Sequence, residues 1–310
     1  MTEKLRVGIL GATGMVGQRF ISLLDNHPWF EVVTLAASGR SAGQTYAAAV
    51  EGRWKMDTPI PAAVKDLVVM NVNEVEKVAA TVDFVFSAVD MTKEEIKAIE
   101  EAYAKTETPV VSNNSAHRWT PDVPMVIPEI NPEDIAKHKG IIANPNCSTI
   151  IMLMALKPIY DLSRIKRIVV STYQAVSGAG KEGIDELYEE AAAFAKGENY
   201  EPKILPSASL PKHYQIAYNL IPQIDIFLDN DYTKEEMKMV NETHKIMHDA
   251  EIGITPTAVR VPVARSHAES IYVETEEPLT VEQVKKAIED FEGAELVDDV
   301  KNMIYPMPLD

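Results

Sequence analysis

The chain has one cysteine, and its surroundings are those of a nucleophile. Cys147 stands in Asn144-Pro145-Asn146-Cys147-Ser148-Thr149, directly before an apolar run from Ile150 to Leu156 that reads as a buried helix. A thiol at a helix N-terminus faces the positive end of the macrodipole and unpaired backbone N–H groups, both of which favour the thiolate. A lone cysteine is more often a small buried hydrophobe. Here, however, Asn-Pro makes a turn, and Ser148 and Thr149 suit a first helical turn better than an interior. A second chemical signal is the turn Gly11-Ala12-Thr13-Gly14-Met15-Val16-Gly17. Its three glycines allow a tight turn and let the amides of a following helix approach a pyrophosphate, so a dinucleotide site is expected there. Beyond the second strand, where an NAD-preferring site carries an acidic residue, the chain has Ser38-Gly39-Arg40-Ser41-Ala42-Gly43 instead. Two hydroxyls and a guanidinium suit a 2′-phosphate, which makes NADP(H) the expected cofactor.

The elements that must position these residues follow from periodicity. Lys4 to Leu10 reads as a buried strand, the glycine turn follows, and Gln18 to Leu24 reads as a helix. Strands are expected at Glu31 to Ala36, Leu67 to Asn71, Phe84 to Val89, Pro109 to Ser112 and Gly140 to Ala143, with a helix from Lys93 to Tyr103. This alternation predicts a parallel sheet with helices on its faces. After Cys147, strands are expected at Ile165 to Tyr173, Thr257 to Val263 and Glu269 to Glu274. Helices are expected at Glu182 to Lys196, Lys234 to Asp249 and Val281 to Phe291, and a loop from Gly197 to Pro211. The fold class is therefore α/β, a Rossmann-type dinucleotide-binding domain over residues 1–147 plus an α+β catalytic and dimerisation domain with a mostly antiparallel sheet over residues 148–310.

Composition narrows the partners. A net charge of −17 over 310 residues argues against non-specific binding to nucleic acid or to an anionic membrane surface. No run approaches a signal peptide or a membrane span, and a cytoplasmic protein is expected. One cysteine excludes an intramolecular disulfide and a cysteine-cluster zinc site. The seven histidines show no HExxH-type spacing, so no metal is expected.

Four segments line up in order: Asn144 to Thr149, Ser171 to Gly180, Asn241 to Lys245, and Arg260 to His267. Together with the glycine turn they resemble aspartate-semialdehyde dehydrogenase, over nearly the whole chain from Lys4 to Pro308. The Ser-x-Arg-Ser-Ala-Gly loop resembles the archaeal and fungal branch of that family. The resemblance implies NADPH-dependent reductive dephosphorylation of L-4-aspartyl phosphate to L-aspartate 4-semialdehyde, in the biosynthesis of lysine, threonine and methionine. It implies Cys147 as the nucleophile, His267 as acid/base and Gln174 as the residue that orients the acyl intermediate. An imidazole titrating near neutrality would suit the proton transfers. Arg260 matches the residue that holds the substrate carboxylate, Glu242 the one that contacts its amino group, and Lys245, Arg118 and Asn146 those that contact phosphate. Ser177 and Gly178 match cofactor contacts, beside Gly11, Thr13, Gly14, Met15, Val16, Gly17, Ser38, Arg40 and Ser41.

Arg260 and His267 are an odd interval apart, so a turn between Val263 and Ser266 is required if both are to face one site. The family is expected to be at least a homodimer, or a homotetramer, built through the second domain. It also implies a segment beyond the position of Asp310 that returns to the first domain, which the sequence does not include. Two other readings stay open at this point: an enzyme like malonyl-CoA reductase, against which Glu242, Lys245 and Arg118 argue, and a catalytically silent NADP-binding protein.

Overall fold

A computed structural model describes residues 3–309, which divide into two compact units. The first contains residues up to Ile127 and Asn131–Pro145; the second contains Pro128–Ile130 and the chain from Asn146 onward.

In the first unit, strands β1 (Leu5–Leu10), β2 (Phe30–Ala37), β3 (Met70–Asn71), β4 (Phe84–Ser87), β5 (Val110–Ser112) and β6 (Ile141–Ala143) form one sheet. Their order is β3-β2-β1-β4-β5-β6, and each pairing is parallel. β1 is central, with Val7, Gly8, Ile9 and Leu10 all buried, as a strand covered on both faces must be. The strand order reverses between β1 and β4. In such sheets the crevice at the carboxyl ends of the strands at that point is where a dinucleotide lies. The helices are α1 (Met15–Leu23), α2 (Tyr46–Ala49), α3 (Val75–Ala79) and α4 (Lys93–Lys105). A capping box between Thr92 and Glu95 starts α4, which buries Ile96, Ile99, Glu100 and Tyr103 along one stripe. The strand expected from Leu67 shortens to β3. The backbone of residues 67–69 pairs instead with the loop before α2, Tyr46 N–H to Leu67 and Gly43 N–H to Val69.

The second unit contains α5 (Cys147–Leu162), β7 (Ile165–Gln174), α6 (Gly180–Ala195), α7 (Lys234–Met247), β8 (Gly253–Arg260), β9 (Ala268–Thr275) and α8 (Val281–Glu289). Its sheet has the order β8-β7-β9. β7 and β8 are parallel and β7 and β9 antiparallel, so the sheet is mixed instead of mostly antiparallel. The cause is the long crossover through α6 and α7, which returns the chain to the starting edge before β8 begins. The stretch between α6 and α7 lacks regular structure but is pinned from inside. The buried Glu186 carboxylate accepts N–H bonds from Lys203, Ile204 and Leu205, and that of Glu190 from Ile216 and Ala217. Among the described residues no helix is long and apolar enough to cross a membrane.

Candidate active site

Cys147 is the first residue of α5 and is solvent-exposed. Its position is set by Asn146, whose side-chain oxygen caps the helix by accepting from Ser148 N–H at 3.0 Å and Thr149 N–H at 3.2 Å. The Asn146 backbone N–H in turn donates to Glu242 at 2.6 Å, and its side-chain amide to Glu235 at 2.9 Å.

Strand register then builds a row of three polar side chains. β7 and β8 pair Gln174 with Arg260. β7 and β9 pair Tyr173 with Ala268, so one step further places His267 opposite Gln174. The turn required between Arg260 and His267 is present: Val263 N–H donates to Val261 at 2.8 Å, and Ser266 has φ +67°. Gln174 is buried and donates from Nε2 to Ser148 Oγ and to Glu235, which ties the row to the first turn of α5.

Arg260 is also buried, and its guanidinium donates to the Ala175 carbonyl at 2.7 Å. Burial disfavours its charge, while Glu235 and Cys147 favour it, so guanidinium and sulfur lie within electrostatic reach of each other. Gly178 leaves room for it. A Cβ there would stand 2.7 Å from an Arg260 guanidinium nitrogen.

His267 differs from the expectation of a ring titrating near neutrality. Burial, and then the neighbouring Arg260 charge, push its pKa down to about 4. Its Nδ1 accepts the Ala175 N–H at 3.0 Å. The neutral ring therefore carries its proton on Nε2 and is a donor in the resting site.

The residue that sequence reasoning missed is Glu235. Helix α7 carries two Glu-x-x-Lys pairs, Glu235–Lys238 and Glu242–Lys245, seven residues apart and so on nearly the same face. The first pair reaches the row. Glu235 binds Asn146 and Gln174 through one oxygen and Lys238 through the other, at 2.8 Å. Burial would raise its carboxyl, but Lys238 and these hydrogen bonds outweigh it and hold the group below the usual carboxylate range. Glu242 is fully buried beneath the cap of α5, and Lys245 lies half-buried one turn further along α7. The only sequence signal for Glu235 was its place in the first turn of a helix started by the Thr233–Glu236 capping box, which draws attention to Glu236.

In the first unit a cavity of about 310 Å³ is lined by Gly11, Thr13, Gly14, Ser38, Arg40 and Ser41, and also by Arg53, which the sequence gave no reason to include. Gly11 has φ +80°, and a Cβ at Gly17 would stand 2.3 Å from the Gly11 carbonyl, so turn and helix pack as closely as the motif requires. Gly14 is the N-cap of α1. Met15, Val16 and Gly17 form its first turn and do not line the cavity. The Gln18 side chain joins Thr13 to Arg53 and Lys55, fixing the loop that presents Arg53. A glycine cradle with two guanidiniums and three hydroxyls fits a phosphorylated dinucleotide. Arg118, also in this unit, is buried and braces the turn before Cys147, donating to the carbonyls of Asn144 at 2.9 Å and Pro145 at 3.1 Å. In the second unit the Ser177 N–H is bound by Ala264 and Gly178 borders Arg260.

Comparison with known proteins agrees with both units. Residues 6–138 match the family described as semialdehyde dehydrogenase, NAD binding domain, and residues 156–310 its dimerisation domain. The aspartate-semialdehyde dehydrogenase of Bacillus subtilis is 41% identical over 312 residues, spanning 100% of this chain and 85% of the relative. The crystal structure of aspartate semialdehyde dehydrogenase II from Vibrio cholerae, complexed with ASA, aligns with TM-score 0.81 at 42% identity, over 95% of this chain and 81% of that one. The Candida albicans enzyme with NADP aligns with TM-score 0.71 at 30% identity, over 94% and 77%. The expected archaeal and fungal branch gains no support from this pattern, in which the bacterial relatives are nearer than the fungal one. With both domains matched and the identity spread over the full length, the chain belongs to the aspartate-semialdehyde dehydrogenase family.

Proposed function

We propose that the chain catalyses the NADPH-dependent reductive dephosphorylation of L-4-aspartyl phosphate to L-aspartate 4-semialdehyde in aspartate-family amino-acid biosynthesis. The observation that carries this is the row Arg260, Gln174 and His267, tied by Ser148 to the helix start that presents Cys147. In this reading the Cys147 thiolate attacks the acyl carbonyl, a thioester forms and phosphate leaves. The positive end of α5 and the Arg260 charge both favour negative charge at sulfur and on the developing oxyanion. Arg260 holds the substrate carboxylate. The amino-group and phosphate roles expected of Glu242 and Lys245 are assigned to Glu235 and Lys238, because that pair borders Gln174; the phosphate contacts expected of Arg118 and Asn146 are carried over from the family resemblance. When bound, the reduced nicotinamide supplies the hydride. His267 presents its Nε2 proton to the oxygen that becomes negative after that transfer, and takes it back from the thiohemiacetal hydroxyl as the C–S bond breaks, so that the aldehyde forms and Cys147 leaves as the thiolate. Ser38, Arg40 and Ser41, with Arg53, would hold the 2′-phosphate, which supports NADP over NAD. The match to a dimerisation domain supports a homodimer at least; the cytoplasm is the compartment expected for this biosynthetic role.

The test is phosphate-dependent reduction of NADP+ by L-aspartate 4-semialdehyde, read at the nicotinamide absorbance for the chain and for Cys147→Ala. Activity that disappears in the variant supports the reading. Activity unchanged in the variant, or absent from both proteins, refutes it.

A further inference from the structure

Glu269, two residues past His267, has no place in the chemistry above, yet it is an unusual group. It sits on the inward-facing side of β9, where Ser270 and Tyr272 are exposed and Glu269, Ile271 and Val273 are partly covered, the pattern of a half-covered strand. Both of its carboxylate oxygens are buried, and neither has a hydrogen-bond partner among the described residues. Burial alone pushes its pKa up to about 8. The register of the antiparallel pair places it directly opposite Thr172, whose hydroxyl is likewise buried and without a partner among the described residues. Directly opposed residues have Cβ atoms about 5 Å apart, close enough for a carboxyl group to reach a hydroxyl by a change of rotamer. By alternation Thr172 shares its face with Gln174, and Glu269 shares its face with His267. The two pairs are thus successive rungs of one ladder.

No charged partner competes for this position. On the same face β7 carries Ile168, Val170, Thr172 and Gln174, none of which titrates. Helix α5 packs against both strands and buries Ser148, Thr149, Met152 and Leu153. Its titratable side chains are Cys147 at the exposed start and, on the far turns, Lys157 and Asp161, which pair with each other, and Tyr160, which donates to Asp249. The charges at the end of the row are those of Arg260 and Glu235, which act on each other and on the neutral His267 ring. α7 adds Lys238, held by Glu235.

We propose that Glu269 is a positioning residue for His267: as the neutral acid it binds Thr172 across the strands and holds the start of β9, and with it the bond between His267 and Ala175, in register with Gln174. The proposal rests on the function above for its catalytic consequence, but not for its structural content. Loss of the proton leaves a carboxylate buried without a counter-charge, which β9 can relieve only by moving outward toward solvent, carrying His267 away from Ala175. The alkaline limb of activity is then set by a residue that never touches the substrate.

The first measurement needs no turnover. In the full chain with labelled histidine, the His267 imidazole signal, identified by its disappearance in His267→Asn, is followed from neutral to alkaline pH. A step in its shift near the Glu269 titration, present in wild type and absent in Glu269→Gln, supports the proposal, because glutamine keeps the shape and the donor of the neutral acid but cannot ionise. No step, or a step that persists in the glutamine variant, overturns it. The second measurement is kcat against pH. Wild type should lose about tenfold per pH unit above the Glu269 titration, the glutamine variant should lack that limb, and Glu269→Ala should be impaired throughout. Identical limbs in wild type and the glutamine variant overturn the catalytic consequence. Failure to turn over the aldehyde at all counts against the proposed function and leaves the imidazole measurement to decide on Glu269.

Discussion

His267 offers a quantitative test of how the site is buried. Its folded pKa of about 4 lies below the ordinary value of 6.5, with burial as the largest cause and the Arg260 charge as the second. Between those values the unfolded chain binds a proton that the folded chain refuses. Stability is therefore full above the unfolded value and is lost as pH falls through 6.5 toward 4. The whole gap corresponds to about 3 kcal/mol, taken as an upper bound for a ring that is not fully enclosed. Of this, a fall from about pH 7.5 to about pH 5.5 removes about 1.4 kcal/mol, since the unfolded imidazole gains nearly its full proton over that interval while the folded one stays neutral. The other six histidines titrate too, so the quantity to read is a difference. Urea unfolding followed by tryptophan fluorescence, at both pH values, for wild type and His267→Asn, should show wild type losing about 1.4 kcal/mol more than the variant on acidification. An equal loss in both proteins would mean that His267 titrates as it does in the unfolded chain, and the argument from burial and Arg260 would fail.

Two further predictions concern neighbours of the row. Lys238→Met should destabilise the protein by about 3 kcal/mol in urea unfolding, because it strips the buried Glu235 of its counter-charge. The lower end of the range for buried pairs applies, since the lysine side chain is 21% exposed. A combined Glu235→Gln/Lys238→Met variant should recover most of that loss while remaining poor in turnover; recovery of turnover would contradict the role given to Glu235. Gly178→Ala places a methyl where the Arg260 guanidinium now lies, 2.7 Å from one nitrogen. Steady-state kinetics should show KM for the aldehyde raised about tenfold with kcat little changed, the mark of weakened carboxylate binding. An unaltered KM would show that Arg260 can shift without losing its function.

Much of the site could be read from local sequence. Cys147 was legible because Asn-Pro-Asn before an apolar run is a helix start, and the helix start is itself the chemistry. The glycine turn was legible for the same reason. The need for a turn between Val263 and Ser266 followed from counting residues. Glu235 was not legible, because α7 repeats Glu-x-x-Lys at an interval of seven, and a helical period returns both pairs to nearly the same face. Which pair meets Gln174 depends on how far along its axis the helix is seated. Arg53 was hidden because its route to the cavity runs through the Gln18 side chain and not through its own neighbours in sequence.

By itself, the sequence determined what local rules can reach: strand, turn and helix at each end of the nucleotide motif, the helix that presents Cys147, and the residue types the chemistry needs. These depend on spacing and capping over a few residues, where backbone geometry leaves little choice. Only the tertiary structure decided that β7 lies between β8 and β9, one parallel and one antiparallel, so that Arg260, Gln174 and His267 align. It alone decided that burial beside Arg260 turns His267 into a proton donor at rest, and that Glu269 stands inward opposite Thr172. Those outcomes are set by register and by exclusion of water between segments distant in the chain, and no local pattern encodes either.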